Sequence, residues 1–156
     1  MNVFVQNKIL SVFIMSIAPI SELRGAIPLG ISLGMTPEEA AIISIFGNAI
    51  IVPILLLIIK PLFDKFRAIK LFTSFVEKFE SRAAKKVKSY RKFRLLGLYI
   101  LVAVPLPTTG VYTGCVAATV MNIKFKNALI AIVAGVFTSG FIVYSLSTHA
   151  IRIFGI

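Results

Sequence analysis

The sequence predicts an all-α integral membrane protein: an inverted repeat of a re-entrant helical hairpin plus a transmembrane helix, with a basic amphipathic helical linker between the two copies. Three observations predict it: a shortage of charge, two long apolar runs, and two further apolar segments broken near their middles by Pro and Gly. Of 156 residues, 58% are hydrophobic and 15% charged, against about 25% charged in a typical soluble domain. A soluble fold of this length needs more polar surface than that. One membrane domain over residues 1–156 is expected at this length.

The spanning segments come first. Ala40 to Ile59 and Asn127 to Thr148 carry no charged residue. At about 1.5 Å of rise per residue, each is long enough for a hydrocarbon core of about 30 Å, and transmembrane helices are expected over 37–59 and 125–149. Thr36 suits an N-cap, Pro37 the first helical position, and Glu38 and Glu39 the positive end of the helix dipole. Asn48 and Pro53, inside the first span, need partners that lipid does not offer.

The segments 9–35 and 95–123 are interrupted. The first break reads Ala18-Pro19-Ile20-Ser21-Glu22-Leu23-Arg24-Gly25-Ala26-Ile27-Pro28-Leu29-Gly30. The second reads Val104-Pro105-Leu106-Pro107-Thr108-Thr109-Gly110-Val111-Tyr112-Thr113-Gly114. Pro105 and Pro107 push Val104 and Leu106 out of the helical region. As helix, each half of either segment reaches only about 20–24 Å, short of a full crossing. A re-entrant hairpin is the economical solution; a pair of kinked or tilted spans is the competing one. The chain then divides into a first repeat over 1–59, a linker over 60–94, and a second repeat over 95–151. A hairpin returns to its own side and the next helix crosses, so the second repeat enters from the opposite face.

Charge sets the orientation. The linker holds twelve of the seventeen Lys and Arg but three acids, Asp64, Glu77 and Glu80, which makes it cytoplasmic by the positive-inside rule. Both termini are then outside, in an inner or plasma membrane. Leu62, Phe66, Ile69, Phe72, Val76, Phe79, Ala83, Val87 and Tyr90 recur at helical spacing, an amphipathic stripe whose basic face suits anionic lipid headgroups. Packing against the protein or a second copy is the alternative; nucleic acid is not an expected partner. Cys115 and His149 each stand alone, and no nucleotide, metal or nucleophile motif appears. No enzyme activity, metal or cofactor is expected.

Glu22-Leu23-Arg24-Gly25-Ala26-Ile27-Pro28-Leu29-Gly30 closely resembles the first signature of the putative small multidrug export protein family, and Pro105 to Gly114 resembles its second. That family looks like a compact relative of the DedA/VTT superfamily, whose members carry paired re-entrant hairpins. The resemblance covers nearly the whole chain and implies membrane transport. For DedA-like relatives it implies flipping of polyprenyl-phosphate lipids, often coupled to protons. It carries over Glu22, Arg24, Gly25 and Pro28, with Pro105, Pro107 and Gly110, as site positions.

An ionisable residue deep in a membrane is a functional candidate by its cost. Glu22 and Arg24 are therefore the expected substrate or proton residues. Being two apart, they do not face one another on one helix. Glu22 is either a protonation switch or half of a static ion pair. Ser21, and Thr108 or Thr109, are expected to cap the second arms of the hairpins, placing free N–H groups beside Arg24 where an anion can bind. Pro19 belongs to the same tip, and Asn48, Tyr112 and Thr113 are candidate lining residues. Two functions stay open: a transporter exporting or flipping a small amphiphilic or anionic lipid substrate, and a non-transporting membrane scaffold. Two hairpins and two spans make a thin wall, so a homodimer or higher homo-oligomer is expected.

Overall fold

In the computed structural model, residues 2–67, 91–106 and 109–154 are described; most of the amphipathic linker, together with Pro107 and Thr108, lies outside them. The described residues form six helices: α1 (Asn2–Ile17), α2 (Glu22–Ser32), α3 (Pro37–Arg67), α4 (Arg91–Ala103), α5 (Val111–Val120) and α6 (Phe125–Phe154). The order is short, short, long, twice over. Helices α1 and α2 pack together and both lie on α3; α4 and α5 pack together and both lie on α6. Two stretches, Pro37–Leu62 and Phe125–Ala150, are long and apolar enough to cross a membrane.

The two halves share a register. Helix α2 ends with Gly34 N–H donating to the Ile31 carbonyl (2.9 Å) and Met35 N–H to that of Gly30 (3.0 Å). Helix α5 ends with Asn122 N–H donating to Thr119 (3.1 Å) and Ile123 N–H to Ala118 (2.9 Å). Both are Schellman closures, which need a left-handed residue after the helix. Gly34 (φ 77°) and Asn122 (φ 51°) supply it, from the two residue types that enter that region most readily. These partners all stand 88 positions apart (34 and 122, 30 and 118). The same spacing links Glu22 (φ 48°) to Gly110 (φ 147°), each at the start of a second arm.

Local chemistry explains the long helices. Glu39 N–H donates to Thr36 Oγ1 (3.3 Å) while Thr36 N–H donates to Glu39 Oε2 (3.1 Å), a reciprocal capping box that fixes where α3 begins. Both long helices outrun their expected ends at 59 and 149. Helix α3 continues through Pro61 to Arg67, because a proline removes one ladder bond without forbidding the next turn. Helices α3 and α6 lie side by side and antiparallel: Tyr144 OH donates to Glu38 Oε1 (2.8 Å), and Gly140 abuts Ile45. Their shared seam, with Val52, Leu56, Ile132, Val136 and Val143 buried in it, is the centre of the core.

Candidate functional site

The two tips meet. Helix α1 ends at Ile17 and α4 at Ala103, just ahead of the predicted breaks. The chain then turns through Ala18–Ser21 in one half and Val104–Gly110 in the other. Each turn is closed by side chains from the opposite half.

Glu22 is the centre of this exchange. It is 6% exposed and sits in the left-handed region (φ 48°), which costs a non-glycine residue about 1–3 kcal/mol. That conformation turns its carboxylate onto the start of α5, where Val111 N–H donates to Oε2 (3.3 Å) and Tyr112 N–H to Oε1 (3.4 Å). The first N–H groups of a helix have no partner within it, and its dipole favours a negative charge there. Both bonds are long for an N–H···O pair, so the carboxylate rests on these donors without gripping them. Gly110 makes room: a Cβ there would land on the carboxylate.

Arg24 serves the same tip from the other side. Its Nη1 donates to the carbonyls of Leu106 and Thr109. Its Nη2 donates to Thr109 Oγ1 (3.1 Å) and the Val104 carbonyl (3.3 Å). Thr109 Oγ1 donates to the Val104 carbonyl (2.8 Å) and accepts from Leu106 N–H (3.2 Å). A proline-broken turn leaves several carbonyls without helical donors, and one planar guanidinium gathers three of them. In return, Tyr112 OH donates to the Ile17 carbonyl at the end of α1 (2.5 Å).

These contacts correct two expectations. Ser21 is not a side-chain cap: its backbone is helical (φ −91°, ψ −45°), without the extended geometry a cap requires, and its hydroxyl donates to Met15 Sδ (3.3 Å). Thr109 does not cap α5 either. Gly110 holds the cap position without a side-chain bond, and the Thr109 hydroxyl is committed to the turn. The N–H groups expected to meet a bound anion meet Glu22 instead. Glu22 and Arg24 each turn to the backbone of the second tip and not to one another.

A cavity of about 600 Å³ opens at this junction. Pro19, Ile20, Ser21, Glu22, Arg24 and Gly25 line it from the first tip, and Pro105, Thr109, Tyr112 and Thr113 from the second. Gly110 is buried beside it. Pro28 is exposed, and Asn48 is fully buried in α3; both stand apart from this lining. Sequence reasoning passed over Ser16, Ser44 and Ser139, which are buried with Asn48. The available signal was the spacing of Ser44 and Asn48, one turn apart on α3.

The family model described as "Putative small multi-drug export protein" matches residues 22–142. The match opens on Glu22, takes in α2, α3 and the second tip, and ends within α6. The chain belongs to this family and is a membrane protein. No curated protein and no solved structure matches it.

Proposed function

We propose that this chain exports a small amphiphilic molecule bearing an anionic group, such as a lipid phosphate, and that the junction of the two tips is where the molecule binds. The observation that carries this reading is the seat of Glu22. A carboxylate of the protein occupies the helix N-terminus that an anion would take, at the edge of a cavity large enough for one. An ionised Glu22 competes with the substrate for the N–H groups of Val111 and Tyr112. A protonated Glu22 loses its charge and gives them up. Proton uptake and substrate binding then favour each other, by the same factor in either direction.

The fold of this proposal is an inverted repeat. In it, each hairpin enters and leaves by one face, and the long helix that follows crosses. The antiparallel run of α3 against α6 and the spacing of 88 residues support it. The basic stretch 60–94 faces the cytoplasm and its anionic lipids, and the thin wall is thickened by a second copy. A cysteine replacing Ser89 is expected to react only with reagent on the cytoplasmic side, and one replacing Glu38 only from outside. Reaction of both from one side would remove the inverted arrangement.

Reconstituted in vesicles, the protein is expected to move an anionic amphiphile faster as pH falls. Glu22→Gln keeps the shape and removes the charge, so transport should persist and its pH dependence should vanish. A Glu22→Gln variant with the full pH response would show that Glu22 is not the switch. The second reading, a non-transporting scaffold, draws on the engagement of both Arg24 Nη atoms with the second tip. It predicts that tip variants change folding alone.

A further inference from the structure

Four polar side chains lie in the core away from the mouth: Ser16, Ser44 and Asn48 at 0% exposure and Ser139 at 2%. Ser16 donates to the Phe13 carbonyl (2.6 Å). Among the described residues, Ser44 Oγ, Ser139 Oγ and both polar ends of the Asn48 amide find no hydrogen-bond partner. Proteins rarely bury such groups unpaired, because their lost hydration is not repaid.

Their placement is ordered. Ser44, Asn48 and Val52 form one i, i+4 row along α3. Gly47, beside that row, abuts the Ser16 hydroxyl of α1. Ser139 precedes Gly140, which abuts Ile45 of α3, so it stands level with the row. Towards the mouth, the Val52 carbonyl lies 4.0 Å from Cys115 Sγ, one turn along α5 from the N–H groups that hold Glu22. The row thus runs from the core towards the switch.

Packing does not require polar groups here. The positions 88 residues on, in the second half, are Ile132 and Val136, both also at 0% exposure. The fold fills the equivalent place with hydrocarbon in one copy and with a hydroxyl and an amide in the other. Polar groups unsatisfied in one state and not needed for packing are expected to be satisfied in another. Pro53, inside α3, leaves the Ala49 carbonyl without its ladder donor, a place where the helix can bend.

We propose that the Ser44–Asn48 row of α3, with Ser139 level with it on α6, is one wall of the transport passage, closed here and filled with water when the tips part. This rests on the export reading and extends it into the core. The wall carries no titratable group, so pH sensitivity stays with Glu22. Its hydroxyls and amide both donate and accept, which suits water and a polar headgroup in turn.

The test uses the full chain in lipid vesicles with Cys115→Ala and a small water-soluble methanethiosulfonate reagent. Buried thiols are inert and wetted ones react. Ser44→Cys, Ser139→Cys and Asn48→Cys are compared with Ile132→Cys and Val136→Cys, each with Glu22 and with Glu22→Gln. The serine positions take cysteine with little change of shape, so the test does not depend on Asn48→Cys folding. The three polar positions are expected to react, and about tenfold faster with Glu22→Gln, because the neutral side chain draws the protein into an open state that is sparsely populated with Glu22. Ile132→Cys and Val136→Cys are expected to stay silent. Silence at Ser44 and Ser139 in both backgrounds overturns the proposal, as does equal reaction at all positions. If Glu22→Gln abolishes the pH response of transport while Ser44→Cys stays silent, only the passage wall fails. If Ser44→Cys reacts but the pH response survives Glu22→Gln, only the role of Glu22 fails.

Discussion

Gly110→Ala should be among the most damaging single substitutions in this chain. Gly110 stands at φ 147°, a conformation that costs a residue with a Cβ about 1–3 kcal/mol. The new methyl would also land on the Glu22 carboxylate and lift it from Val111 and Tyr112, leaving the first turn of α5 without its anion, a further loss of about 1 kcal/mol. The expected result is a fall in the thermal unfolding midpoint of roughly 5–10 °C, together with loss of transport. Gly97→Ala is the control. It lies within α4, nothing stands within 4 Å of its Cβ position, and alanine in a helix is favoured by about 1 kcal/mol. Gly97→Ala should leave the midpoint unchanged or raise it. Equal behaviour of the two variants would mean that the contact between the tips contributes nothing.

Arg24→Ala is expected to come close behind. It strips donors from the carbonyls of Val104, Leu106 and Thr109 at once. Each unsatisfied group costs about 1–3 kcal/mol when buried. Val104 and Leu106 are partly wetted, so the total should be about 2–4 kcal/mol, near the cost of one or two such groups. Arg24→Lys should recover little, because an ammonium is a point donor and cannot span the carbonyls that the guanidinium fork reaches. Thermal unfolding in detergent, with limited proteolysis between Ala103 and Val111, measures both effects. The turn should be cut faster in both variants. An Arg24→Ala protein as stable as wild type, with only substrate affinity lost, would return Arg24 to the role of a free anion-binding cation.

The elements readable from sequence were those set by local chemistry. Thr36, Pro37 and Glu39 mark the start of α3 by a capping box contained in four residues. The prolines at 105 and 107 announced the end of α4, and the long charge-free runs announced α3 and α6. What escaped depends on residues far apart in the chain. Glu22 meets Val111 and Tyr112 across 89 and 90 positions, and no periodicity carries that. The expected caps at Ser21 and Thr109 failed because the turns are made by the left-handed residues that follow them. A glutamate in that conformation is too uncommon to be expected from its type. Ser139 was passed over because a single serine in an apolar run gives no hint of its depth; Ser44 was legible only through its spacing to Asn48.

The exchange of contacts at the tips bears on how such a chain can arise and be divided. The halves share a backbone register, but their tips are complementary and not alike. The first contributes the carboxylate and the guanidinium; the second contributes the helix N-terminus and the carbonyls that receive them. Two copies of the first half, joined tip to tip, would set Glu22 against Glu22 with no glycine to make room. Two copies of the second would leave both proline-broken turns without the guanidinium that gathers their carbonyls. Neither half is a self-sufficient building block. Separated into two polypeptides, they would be obligate counterparts, and any symmetric ancestor must have held its tips together by other means.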